Sequence, residues 1–174
     1  LNYQCLILPV EGSPTLIVRA LEKQVAQSTT GLDQILGFED HEPPETVIKG
    51  ALRQIGGLEK HIAADQTNGG LGFQAYQRLQ RELGVEFSDG SGIVETVSVI
   101  KSKTELDYIR RAARISETGM QAGYAAISEG RSENDVAAES YYAMVKAGSE
   151  FFNLQPVVTA GEKTGIAHSN FHRG

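Results

Sequence analysis

The chain has 174 residues, of which 40% are hydrophobic and 22% charged, and its net charge is −6. That length suits one good core, or one small domain plus part of another. The acidic balance argues against sequence-independent nucleic-acid binding, which needs a basic face to neutralise phosphates. The longest apolar run, Cys5 to Val10, is far too short to span a bilayer.

The front half begins with "YQCLILPV", an apolar, strand-like run, and "EGSP" follows it. Gly12 and Pro14 are turn residues, and "TLIVRA" resumes the strand pattern, so the two runs predict a β-hairpin. Both runs are apolar at nearly every position, which predicts a sheet covered on both faces. Cys5, the only cysteine, sits in the first run and reads as a small buried hydrophobe rather than a nucleophile. A lone thiol fits a reducing, cytoplasmic setting. "TTGLDQILGFED" and "HEPPE" read as irregular, with Pro43–Pro44 as a break. "PPETVIKGALRQIGG" then predicts a helix: Val47, Ala51, Leu52 and Ile55 recur at helical spacing, Pro44 suits the first turn, and Gly56–Gly57 stops it. "KHIAADQ" reads as a short buried strand. "LGFQAYQRLQREL" reads as a helix with Phe73, Tyr76, Leu79 and Leu83 on one stripe, closed by Gly84. "VEFSDGSGIV" reads as another strand and its turn. Strands alternating with helices indicate an α/β layer.

At Ser102 the texture changes. "SKTE" is a capping box that opens a helix of about 25 residues with Leu106, Ile109, Ala113, Met120, Tyr124 and Ile127 as its stripe. Gly130 is expected as the left-handed C-terminal cap. Ser132 in "SEND" is the expected N-cap of a second helix ending at Gly148. "QPVVTAG" returns to strand texture, and His168 lies just beyond it.

The chemical signals are sparse. His168 stands among small residues, where an imidazole can move protons near neutrality. From the residues alone, a loop histidine without a chemical role is the simpler reading. His172 lies four residues on, a spacing that suits a metal only on a helix, and its Gly- and Asn-containing context is not helical. His41 and His61 lack acidic or cysteine companions at ligand spacing. Glu105, Asp107 and Glu117 read as a solvated helix face paired with Arg110, Arg111 and Arg114. Glu133 and Asp135 sit in a first helical turn and complement its dipole. "DGSG" at 89–92 reads as a turn, not a phosphate cradle. Phe151 and Phe152 read as core.

"VIKSKTELDYIRRAARISETGMQAGYAAISEGRSENDVAAE", with the downstream apolar run and "GIAHS", resembles the opening of the catalytic domain in the creatinase/prolidase/aminopeptidase P group, the pita-bread hydrolases. The α/β segment before it resembles the smaller N-terminal domain of the same proteins. The resemblance implies an α/β N-terminal domain over residues 1–97, ribonuclease H-like as in creatinase N-terminal domains. The start of an α+β pita-bread domain would follow over 98–174. It also implies a fragment of a longer protein, incomplete at both ends.

The implied activity is that of a Xaa-Pro dipeptidase or aminopeptidase, a metallohydrolase cleaving small peptide or amide C–N bonds. His168 matches the family's substrate-side histidine and is the one candidate catalytic residue. Two divalent metals (Mn, Co or Zn) would serve the parent protein, on two Asp, one His and two Glu expected after Gly174. Within residues 1–174 no metal ligand or cofactor is expected. The partners implied are a small peptide or amide substrate and a second copy in a homodimer. One alternative is a creatinase-like or ectoine-hydrolase-like amidohydrolase, metal-free if creatinase-like. Another is a catalytically inactive pita-bread module that binds peptides or protein partners.

Overall fold

The computed structural model describes residues 3–67 and 71–166. It divides into two compact units, Leu1–Val99 and Ile100–Gly174.

The first unit is built on a three-stranded sheet. Strand β1 (Cys5–Ile7) pairs antiparallel with β2 (Thr15–Arg19), as the hairpin reading expected, with Cys5 opposite Ile17. Strand β3 (Gln34–Phe38) lies parallel to β2, with Ile17 opposite Leu36. This corrects the sequence reading, which left "QILGF" irregular. A five-residue run after a turn carries little periodic signal. Its strand state is set by pairing with β2, a partner far away in the chain. The parallel crossover from β2 to β3 passes through helix α1 (Lys23–Thr29), which the sequence reading also missed. Parallel neighbours need such a crossover, because a tight hairpin cannot connect them. At Gly37 of β3 an added Cβ would lie 3.0 Å from the Ala20 Cα, so a side chain there would push the turn after β2 back by a few tenths of an ångström.

Both faces of β2 are covered, as two apolar faces require. Ile17 is fully buried with Phe38, Ile48 and Leu52 on one side, and Val18 packs with Ala26 and Ile35 on the other. Strand β1 is an edge, and its Leu6 is exposed. Helix α2 (Pro44–Gln54) starts on Pro44, whose missing N–H is no loss in a first turn. It buries Ile48, Ala51 and Leu52, and Gly56 beyond its end takes φ +66°. Ile55, expected on the buried stripe, is exposed because it follows the last turn.

Helix α3 (Phe73–Leu83) closes at Gly84, φ +70°. Leu79 and Leu83 enter the core; Phe73, expected to join them, is exposed at the helix start. Strands β4 (Ala63–Ala64) and β5 (Ser88–Asp89) form a two-residue parallel pair. The "KHIAADQ" strand is therefore shorter than expected, and Ala63 is exposed rather than buried. Helix α4 (Ile93–Ser98) replaces the tail of the expected strand and turn. The "DGSG" stretch is a turn: the Asp89 carboxylate accepts from the Ser91 N–H at 2.9 Å. The Ser91 hydroxyl and backbone bonds hold the Asp89 carboxyl below its ordinary value.

The second unit is a helix pair followed by an irregular segment. Helix α5 (Lys103–Ala126) opens on the expected capping box: Ser102 accepts from Glu105 N, and Glu105 accepts from Ser102 N. Helix α6 (Glu133–Lys146) opens on a second one, Ser132 with Asp135. Among the described residues no helix is long and apolar enough to cross a membrane.

Candidate functional site

The expected apolar stripe of α5 is not what packs. Ile109, Met120, Tyr124 and Ile127 are exposed, while Gly119, Gly123 and Ala126 are buried. The reason is the closeness of α6. A Cβ on Gly119 would press into the Met144 side chain and lie 3.1 Å from the Ser140 carbonyl oxygen. A Cβ on Gly123 would lie 2.5 Å from the Ser140 hydroxyl. Two glycines one turn apart thus form a flat strip on which α6 rests, and the larger side chains are turned outward. Helix α5 ends at Ala126. Gly130 is left-handed at φ +82° but lies in the link, so it is not the helix cap. An extended Ile127 ends the helix instead.

Beside this crossing lies an open groove of about 1070 Å³. Tyr108, Arg111 and Ile115 of α5 line it, with Phe151, Leu154 and Val157 of the segment after α6. The Arg111 guanidinium stands 5.8 Å from the Tyr108 ring centre, within cation–π range. Arg110 pairs with Asp107 at 3.0 Å, as the solvated-face reading expected. Phe152 packs edge-on to Tyr141 with ring centres 4.6 Å apart, whereas Phe151 is exposed and is not core.

The segment after α6 is the route to His168. The "QPVVTAG" stretch forms no strand in the structure; residues 155–160 lack regular hydrogen bonding. No neighbouring strand is present for those apolar residues to pair with among the described residues. A short 3-10 turn follows at Gly161–Gly165. It is tied to α6 by Glu133, whose carboxylate accepts from Ala160 N at 2.8 Å and from Lys163 Nζ at 2.8 Å. Its place in the sequence marks Glu133 only as a partner of the helix dipole. Nothing in local spacing reveals a partner 30 residues away.

His168 and His172 lie outside the described residues. His41 and His61 lie in the first unit, and His41 is exposed. Among the described residues no group of three or more His, Cys, Asp or Glu side chains could hold a metal ion. Cys5 is part-buried, and desolvation pushes its thiol up to about 11, which keeps it protonated and non-nucleophilic near neutrality. Burial likewise raises the Tyr3 hydroxyl to about 12.

Residues 107–173 match metallopeptidase family M24. The putative dipeptidase YkvY of Bacillus subtilis is 28% identical over 160 residues, covering 92% of this chain and 44% of that protein. A Xaa-Pro dipeptidase of Pyrococcus furiosus is 24% identical, covering 88% and 41%. The ectoine hydrolase of Halomonas elongata is 25% identical, covering 95% and 46%. In three dimensions the chain is similar to the X-Pro aminopeptidase of Thermotoga maritima, with a TM-score of 0.76 at 21% identity over 93% of this chain and 45% of that one. The chain therefore spans less than half the length of the relatives it matches. The resemblance to the creatinase/prolidase/aminopeptidase P group is borne out, and the mixed α/β fold is that of its members.

Proposed function

We propose that this relative of the M24 metallopeptidases serves a Xaa-Pro dipeptidase-like hydrolase that cleaves small peptide C–N bonds. The observation that carries the reading is the family match over residues 107–173, which covers both capped helices almost entirely and the approach to His168. In this reading residues 1–97 are a creatinase/prolidase-like N-terminal domain of ribonuclease H-like type. Residues 98–174 open the pita-bread catalytic domain. The setting is cytoplasmic, and the working protein is a homodimer.

His168 is the proposed catalytic residue. Beside a scissile amide, an imidazole donates a proton to the leaving nitrogen or a hydrogen bond to the oxygen that gains charge. The family's two divalent metals (Mn, Co or Zn) would activate the attacking water in the whole enzyme. The described residues do not fit a metal pair, for they bring no three His, Cys, Asp or Glu side chains together, and four carboxylates of the second unit are engaged in caps and ion pairs: Glu105 with Ser102, Asp107 with Arg110, Glu133 with Lys163, Asp135 with Ser132. No step is assigned to a metal on these residues.

A second reading, an amidohydrolase of a small non-peptide substrate, is favoured by the likeness to the ectoine hydrolase over 95% of the chain. The deciding experiment is turnover by the gene product carrying this sequence, with Mn, Co and Zn supplied in turn. Hydrolysis of Xaa-Pro dipeptides supports the first reading. Hydrolysis of ectoine, with Xaa-Pro dipeptides untouched, replaces it with the second.

A further inference from the structure

We draw no further inference here: the strongest candidate, the open groove between α5 and the segment after α6, lined by Tyr108, Ile115, Phe151 and Leu154, is an apolar face for which nothing in the structure shows what covers it, in a chain that spans less than half the length of its relatives.

Discussion

Gly119 of α5 lies so close to Ser140 of α6 that a Cβ would stand 3.1 Å from the Ser140 carbonyl oxygen. The second unit is organised around this approach, and the neighbouring Gly123 repeats it against the Ser140 hydroxyl. In an unpacked helix, Gly→Ala gains about 1 kcal/mol from propensity. Here overpacking should outweigh that gain, since forcing extra methyls into a tight contact costs about 1–3 kcal/mol. Gly119→Ala is expected to lower the melting temperature of the second unit. Adding Met144→Ala should return part of the loss, because the Met144 side chain is one of the two groups obstructed. A double-mutant cycle by thermal denaturation measures this coupling; strict additivity would contradict it.

Glu45 and Arg78 join α2 to α3. The Glu45 side chain is 5% exposed, and Arg78 Nε donates to it at 3.0 Å. Arg78→Ala leaves a buried carboxylate without this partner and is expected to cost about 1–3 kcal/mol. Glu45→Gln in the Arg78→Ala background should recover stability, because a neutral amide is easier to leave buried. Urea titration of the four proteins checks the order.

Two capping-box carboxylates make the second unit sensitive to acid. Backbone and side-chain bonds from Ser132 hold the Asp135 carboxyl below its ordinary value. Side-chain and backbone bonds from Ser102 do the same for Glu105, with Lys101 adding to it. A carboxyl whose pKa is lower folded than unfolded stabilises the fold above its unfolded value, about pH 4. That contribution disappears as pH falls through the lower, folded value. Helicity followed from pH 6 to pH 2 should therefore decline on the acid side. The Glu105→Gln, Asp135→Asn double variant should show a flatter profile, and an identical profile would contradict the assignment.

The Cys5 thiol, raised to about 11 by burial, should react slowly with a disulfide reagent at pH 8 in the native protein. In denaturant the rate should rise toward that of an ordinary thiol. Equal rates in the two states would show that Cys5 is not sheltered in the β1 edge.

His168→Ala in the gene product carrying this sequence should lower kcat by at least about 100-fold, the scale of general acid–base assistance, with KM less affected. His172→Ala should stay within a few-fold of wild type. Equal, small effects in folded protein would return His168 to the class of loop histidines without a chemical role.

The sequence by itself determined those elements whose signals lie within a few residues of each other. The starts of α5 and α6 are written in Ser102–Glu105 and Ser132–Asp135, because a capping box closes on its own turn. Helix α2 is legible from Pro44 and its apolar spacing, and the β1–β2 hairpin from two apolar runs about a turn. The relation to the prolidase-like group was legible for the same reason, since it rests on an ordered run of local motifs ending at His168. Only the tertiary structure decided what depends on distant partners. "QILGF" is a strand because β2 lies beside it, and "QPVVTAG" is not one because no described strand does. Large side chains of α5 face outward because Gly119 and Gly123 meet Ser140 and Met144. Glu133 became a tether because Ala160 and Lys163 come to it through space. Burial and pairing belong to the whole chain's packing, and a residue's neighbours in sequence do not specify them.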